Sequence, residues 1–575
     1  MLSRHLTRAA VRPLGRSLQP IRQSSSRSRS FPTSSKSTPI ILSLATLGLG
    51  YTFFPHAAAE EEIILTPAVS SLSAASTPTL IRSYLVWTLC TLPSLIDHSP
   101  ALLNYFTNSS IPGLAPLTNL ILRHSFFAQF VPGESVEECF VAMRELRERG
   151  VGVMLNYSAE MDENVKMDEA EVQKVRMKEI ELALEKLGEY ERSLLENGRM
   201  PGSSGFALKV SGIISPDLLH RASTTLLRLR PLTNSNSPSS PASRDFVPYP
   251  GTPQSSDIGI LSRSDASNDG QELLALGGPE DSVGVLASDE GLRKGDLDEL
   301  KEGYRRVRSL AFKARANGVK LLIDAEHSWH QPALDSITLL LSEEFNQPTE
   351  ENWKGPLIFG TYQAYLTRQP QYLHAMLEHS VKHGYALGVK LVRGAYFEQE
   401  RKAWKADGRP GADPIWKDKA ATDNAYNSSI TTLLHTLASQ IDSSKPQLAL
   451  SVTFGTHNDQ SSDRVCEALL QNGLAKTVAN GKLRLREDVE GKIMVAQLYG
   501  MKDDLTDKVA ATFEINETSV PVACKYLAYG TLQEVIPFLG RRAVENKSLM
   551  SGDSGAGAER KRVGDELKKR LFSWL

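Results

Sequence analysis

The chain has 575 residues, 41% of them apolar and 23% charged, with 40 glycines and 30 prolines, which supports a large folded core and excludes a collagen, a wholly disordered chain and a polytopic membrane protein. Sixty-five basic against 67 acidic side chains leave a formal charge of −2, so no partnership with nucleic acid is expected. Four cysteines (Cys90, Cys139, Cys466 and Cys524) are scattered without metal-knuckle spacing and read as reduced core thiols.

Residues 1–59 hold eight basic side chains and no carboxylate; the first acid is Glu60. Arg4, Arg8, Arg12 and Arg16 recur every four positions, which places them on one helical face, with Leu2, Leu6, Val11 and Leu14 elsewhere. An arginine- and serine-rich, acid-free, amphipathic start has the form of a mitochondrial transit peptide, here residues 1–37. Residues 38–59 are uncharged and apolar enough for a membrane anchor or a sorting segment removed on import.

Residues 60–150 read as a helical arm, with apolar clusters at 80–95 and 114–130 and an amphipathic helix over 136–149 that stops at Gly150. Residues 161–196 carry alternating charges along one long helix, a solvated face. Between 231 and 295 Ser, Pro, Asn, Gly and Asp dominate, which predicts a disordered, low-complexity insertion unable to bury a core. A helix over 296–317 restores the periodic pattern, and a tail helix over 556–575 closes the chain.

Eight short apolar runs qualify as strands: 152–156, 206–210, 319–323, 356–359, 388–392, 448–454, 492–498 and 522–527. Most are separated by a helix-length segment, which predicts an α/β fold with a parallel (β/α)8 TIM-like barrel over 151–555. A doubly wound open sheet is the alternative, but no Gly-x-Gly-x-x-Gly follows any strand.

Functional groups of such a barrel belong at the C-terminal ends of its strands, and here those ends are polar. They offer Lys209, Asp324-Ala-Glu326-His327, Gly360-Thr-Tyr-Gln363, Lys390-Leu-Val-Arg393-Gly394-Ala-Tyr396, Thr456-His457-Asn458, Gln497-Leu-Tyr-Gly500 and Tyr526. A ring of this kind suits a ligand with several polar groups. Arg393 beside Gly394 would bring side chain and backbone to a phosphate, and an aromatic platform could stack on a flat ring. The adjacent Arg541 and Arg542 fall on a helix after a break at Pro537, and converge on one carboxylate only if that helix faces the barrel mouth. Asp324, His327 and His457 invite a metal-dependent hydrolase reading. The His-x-His pair usual for a barrel metal site is missing, so no resident metal is expected.

The blocks Ile323-Asp-Ala-Glu326, Lys390-Leu-Val-Arg-Gly-Ala-Tyr396, Thr456-His-Asn458, Gln497-Leu-Tyr-Gly-Met501 and Phe538-Leu-Gly-Arg-Arg-Ala-Val-Glu-Asn546 resemble the mitochondrial proline dehydrogenases (proline oxidases), as do Phe130-Val-Pro-Gly-Glu134 and the 150–160 run. The likeness runs in order from roughly residue 115 to 555, interrupted by the 231–295 insertion. It implies a distorted (β/α)8 barrel that holds FAD and oxidises L-proline to Δ1-pyrroline-5-carboxylate, passing electrons to ubiquinone at the mitochondrial inner membrane or its matrix face. By matching position it implies substrate and catalytic roles for Lys209, Asp324, Tyr526, Arg541 and Arg542, with Leu498 and Tyr526 packing on the ring. Asp324 is then expected to hold Lys209 or Arg542. For FAD the matching positions are Gln363, Lys390, Val392, Arg393, Gly394, Ala395, Thr456, His457 and Glu545. Lys390 stands where many relatives carry Arg, which keeps the charge but loses the planar fork. A hydroxyproline dehydrogenase on the same scaffold is the alternative substrate reading.

Overall fold

The computed structural model describes residues 71–92, 109–158, 169–229, 249–253, 291–348, 355–548 and 555–572, apart from a few single positions, with isolated residues between 93 and 108. The basic leader, the apolar 38–59 segment and most of the 231–295 insertion lie outside these residues.

Eight parallel strands close into a barrel. They are β1 (Gly152–Tyr157), β2 (Ser204–Leu208), β3 (Lys320–Ile323), β4 (Ile358–Gln363), β5 (Gly388–Val392), β6 (Ser451–Gly455), β9 (Ile493–Leu498) and β10 (Ala523–Tyr529), and β10 pairs with β1 to seal the ring. An antiparallel hairpin, β7 (Ala475–Thr477) and β8 (Leu483–Leu485), precedes β9. The barrel therefore replaces the open-sheet alternative. All eight expected runs are strands; β4 continues four residues beyond its expected end, to Gln363.

Barrel strands are buried on both faces, which is why they read as apolar runs instead of alternating ones. Outward residues such as Val153, Phe206, Leu321, Ile358, Val389, Phe454 and Val495 join helix residues Leu184, Leu310, Leu334 and Leu433 in one core cluster. Inward residues Met154, Ala207, Leu322, Phe359, Met494, Ala496 and Cys524 fill the barrel floor. Gly388 pairs beside Phe359, and a Cβ there would run into the Ile358 carbonyl and the Phe359 ring. Glycine at 388 makes room for the phenyl group that plugs the floor. Two residues further along most strands the inward side chains turn polar (Asn156, Lys209, Asp324, Thr361, Lys390 and Tyr526), and this second layer is the site.

A second cluster holds the arm against the mouth of the barrel. Leu80, Val86, Trp87 and Cys90 of helix Thr77–Cys90 pack with Phe127, Phe130 and Val131. They also meet Leu532, Val535, Phe538 and Leu539 of helix Leu532–Ser548 and Val563 of helix Ala556–Phe572. Gln129 ties this layer to the barrel, accepting from Ser83 Oγ at 2.6 Å and donating to the Gly500 carbonyl at 3.1 Å. Arg570 of the last helix donates to the carbonyls of Leu72, Ser73 and Ala75.

Two expectations need correction. Pro537 does not break a helix: Leu532–Ser548 runs through it, losing one backbone hydrogen bond near its first turns. The 231–295 segment is not wholly without packed structure either. Tyr249 is 2% exposed, and a Cβ on Gly251 (φ +108°) would meet Ser328 and Pro414 at 3.1 Å. An aromatic ring beside a Pro-Gly turn makes a local anchor whatever the surrounding composition. The four cysteines are free thiols, as expected, and burial pushes Cys90 and Cys524 up to about 12. Among the described residues no helix is long and apolar enough to cross a membrane.

Candidate active site

The polar layer and helix Leu532–Ser548 enclose a cavity of about 330 Å3 at the C-terminal ends of the strands. Every residue given a substrate, catalytic or FAD role by the family resemblance lines it (Lys209, Asp324, Gln363, Lys390, Val392, Arg393, Gly394, Ala395, Thr456, His457, Leu498, Tyr526, Arg541, Arg542 and Glu545), whereas His327, Glu326 and Asn458 are not among the lining residues.

Strand register sets the centre. Ile323 and Val389 both pair with Gly360, so the next residues, Asp324 and Lys390, face inward at one level across β4. The Lys390 ammonium is ion-paired with Asp324 Oδ1, and the Tyr526 hydroxyl donates to Asp324 Oδ2 at 2.9 Å. Lys390 Nζ also stands 5.0 Å from the centroid of the Tyr526 ring. Burial, with the Asp324 charge beside it, pushes the Tyr526 phenol well above its ordinary range, so the hydroxyl stays a proton donor. Asp324 was expected to hold Lys209 or Arg542; its two oxygens are instead engaged by Lys390 and Tyr526. Lys209, one residue past β2, lies close enough to Glu326 to favour that carboxylate's charge, though burial raises Glu326 overall.

Arg393 is held on three sides. Its Nε donates to Asp423 at 2.8 Å, Nη1 to Thr456 Oγ1 at 2.8 Å and Nη2 to Ser461 Oγ at 2.8 Å. Its guanidinium carbon sits 4.3 Å from the Tyr426 ring centroid. Ser461 belongs to the first turn of helix Asp459–Gln471, capped by Asn458, whose side chain accepts from the Ser461 N–H. Gly394 (φ +129°) has a packing reason in addition to its turn: a Cβ there would strike the Tyr365 ring.

His457 accepts at Nε2 from the backbone N–H of Leu498 at 3.0 Å, which leaves the proton of the neutral ring on Nδ1. Burial, with Lys525 and Arg542 nearby, lowers it to about 3. His327 stacks on Trp329 (4.3 Å) and meets Tyr396 at a 48° tilt (4.2 Å). A metal centre of Asp324, His327 and His457 is therefore not assembled. Among the described residues, the histidine and carboxylate group with ligand spacing is Glu343, His379 and His383, outside the cavity.

Arg542 is 4% exposed, donates to Glu545 Oε1 at 2.7 Å and lies 4.7 Å from the Phe538 ring centroid. Arg541 faces Tyr396, with 5.8 Å from guanidinium carbon to ring centroid. The helix therefore brings both arginines to the cavity. With Lys209, Lys390 and Arg393 they outnumber the lining carboxylates Asp324 and Glu545. Such a lining suits an anionic ligand.

Asn156 and Ser158, to which the sequence motifs gave no function, and Thr361, Gln497 and Phe538, which stood in those motifs without an assigned role, also line the cavity. Inward parity from Met154, Phe359 and Tyr526 would have found the first and third. Glu400, on the charged helix Phe397–Asp407, was not singled out from the sequence. It is fully buried, accepting from Ser328 N–H at 2.7 Å and Ser328 Oγ at 2.5 Å, and so ties helix Phe397–Asp407 to the loop after β3. Tyr249 packs at the same place, its hydroxyl 3.5 Å from the Glu400 carbonyl.

The family model described as proline dehydrogenase matches residues 139–554. Proline dehydrogenase 1, mitochondrial, of Dictyostelium discoideum is 26% identical over 505 residues, covering 86% of this chain and 73% of that one. Hydroxyproline dehydrogenase of Mus musculus is 27% identical over 496 residues, covering 86% and 92%. Among solved structures, proline utilization A of Bdellovibrio bacteriovorus aligns with a TM-score of 0.48 at 15% identity, over 82% of this chain. The chain spans only 37% of that larger protein.

Proposed function

The chain belongs to the proline dehydrogenase family, and from that premise we propose that it catalyses the FAD-dependent oxidation of L-proline to Δ1-pyrroline-5-carboxylate, the first step of proline breakdown to glutamate. The observation that carries this reading is the convergence of the arginine pair 541/542 and the Lys390–Asp324–Tyr526 group on one cationic cavity.

The donor chemistry of the cavity fits a flavin dinucleotide. Arg393 uses three of its five N–H groups on Asp423, Thr456 and Ser461, which leaves two for a phosphate. It stands beside the N-terminus of helix Asp459–Gln471, whose dipole favours an anion. Gln363, Val392, Gly394, Ala395, Thr456, His457 and Glu545 would complete the cofactor wall. When bound, FAD supplies the two-electron acceptor that these side chains lack.

Arg541 and Arg542 hold the substrate carboxylate with charge-assisted hydrogen bonds, which fixes the ring nitrogen and its neighbouring carbon relative to the strand ends. Tyr526 and Leu498 bound the ring and limit its size. Lys390, steadied by Asp324, keeps a cation where negative charge develops during the oxidation. Lys209 extends the cationic lining on the substrate side.

Two observations support a mitochondrial address: the acid-free basic leader, and a Dictyostelium relative named mitochondrial. The arm also exposes a run of apolar side chains, among them Leu85, Leu117, Leu120 and Ile121, each more than half exposed. That favours attachment at the inner membrane, with ubiquinone as electron acceptor.

The test is the visible spectrum of the purified protein. Flavin bands that bleach on anaerobic addition of L-proline support the reading; a colourless protein inert to proline overturns it. The mouse relative's name favours hydroxyproline as a second substrate reading. Comparing kcat/KM for the two compounds decides between them.

A further inference from the structure

The helix after β3 (Gln331–Phe345) and the helix after β4 (Gln369–His383) run back along the outside of the barrel, so their last turns lie at the end away from the cavity. These turns carry Glu343, His379 and His383. His379 and His383 are four residues apart and share one helical face; their rings stack with centroids 3.9 Å apart and planes 14° apart. Glu343 Oε1 lies 3.8 Å from His379 Nε2 and 3.8 Å from His383 Nδ1. The three ligating atoms all fall within 4.8 Å of one another.

We propose that Glu343, His379 and His383 bind one divalent transition-metal ion of the zinc type, pinning the two helices together. Zinc bonds of about 2.0–2.1 Å in a tetrahedron put ligand atoms roughly 3.3–3.5 Å apart, and each imidazole must hold the ion in its own plane, so His383 has to rotate out of its stack on His379 to close the site. At 3.8 Å the carboxylate and the two imidazoles are too far apart for hydrogen bonds, which is the spacing a shared cation would fill. The Tyr385 hydroxyl lies 3.0 Å from His379 Nδ1 and is itself buried, so it holds the ring with Nε2 turned towards Glu343. Two imidazoles and one carboxylate select zinc, cobalt, nickel or copper over magnesium and calcium. His383 and Glu343 remain partly exposed, which leaves an open side for a water ligand.

This site shares no residue with the cavity and is tested apart from the oxidation. Untagged full-length protein, stripped with a chelator, is titrated with ZnCl2 by calorimetry and with Co2+ by visible absorption. One saturable equivalent is expected, with cobalt bands that Zn2+ displaces. Loss of an outer partner alone weakens metal sites roughly 10–100-fold, so His383→Ala should weaken binding by about tenfold or more. Glu343→Gln keeps the shape of the side chain and should weaken it as well. Zn2+ should raise the thermal midpoint of the wild type by roughly 2–4 °C and leave that of His383→Ala unchanged. Failure of the wild type to bind, or equal binding by wild type and both folded variants, overturns the proposal.

Discussion

The hydroxyl of Tyr526 and the ammonium of Lys390 meet on the two oxygens of a single buried carboxylate, Asp324. That sharing makes Asp324 the residue on which the geometry of the cavity depends. Asp324→Ala leaves a cation and a phenol without their common acceptor, and should destabilise the protein at the low end of roughly 3–5 kcal/mol, because the cavity admits water. Asp324→Asn should keep more of the fold than Ala while lowering turnover. Urea unfolding midpoints beside kcat for the two variants check this, and an Ala variant as stable as wild type contradicts it.

The arginine pair should behave as a carboxylate clamp. Two charge-assisted contacts contribute roughly 2–4 kcal/mol together, non-additively. Arg541→Met or Arg542→Met should therefore raise the KM for proline on the order of tens-fold with flavin still bound. Lys at either position should recover part of the loss. Arg542 also holds Glu545, so its Met variant is expected to be the less stable of the two. Met variants with ordinary KM and lost flavin would make the pair cofactor residues.

Two buried histidines should make the fold acid-sensitive. His457 and His330 are lowered to about 3 by burial, against an ordinary value near 6.5. Below pH 6.5 the unfolded chain takes up protons that the folded chain refuses. The stabilisation is thus complete above 6.5 and is lost as pH falls towards 3, by about 1.4 kcal/mol per pH unit for each histidine. Raised carboxyls such as Glu343 act in the opposite sense, so the informative quantity is a difference. His330→Phe should flatten the dependence of stability on pH between 6 and 4.5. An unchanged slope by urea melts at several pH values argues against it.

The insertion divides into two kinds of sequence. Removing 231–248 and 254–290 while joining the flanks to Tyr249–Pro253 should leave proline-dependent dye reduction intact. Tyr249→Ala should cost about 3 kcal/mol, in the range for emptying a buried aromatic site. It should also raise KM, since Tyr249 packs where Glu400 anchors the loop that begins at Asp324. A harmless Tyr249→Ala would return the whole segment to the status of filler.

The arm should contact lipid. Purified protein is expected to sediment with vesicles of inner-membrane composition, and Leu120→Glu with Ile121→Glu should reduce the bound fraction several-fold without moving the melting point. Equal sedimentation of the variant would shift any attachment to the N-terminal 59 residues.

The barrel was legible because parallel strands announce themselves as apolar runs between helices, and every such run proved to be a strand. The end of β4 was not: Gly360 reads as a stop, yet it lies mid-strand between Ile323 and Val389. The hairpin of β7 and β8 is only three residues to a side, but the Asn480-Gly481 pair between its strands was a turn signal that composition obscured. The cavity residues were legible through ordered motifs, whereas their pairing was not. Nothing in the spacing of 324, 390 and 526 says that they share one level, because level is a property of strand register. Glu400 and Tyr249 escaped for the same reason: a buried carboxylate on a charged helix looks solvated until its partner, Ser328, is known.

The clasp of Arg570 onto the carbonyls of Leu72, Ser73 and Ala75 gives the molecule an order of completion. The helix that bears Arg541 and Arg542 is sandwiched between segments from the two extremes of the described chain. Its apolar side is fully covered only when the last helix and the arm have both packed against it. A chain cut short between β10 and helix Leu532–Ser548 would close the barrel without the two arginines that face its mouth. The fold thereby withholds competence from incomplete copies of itself.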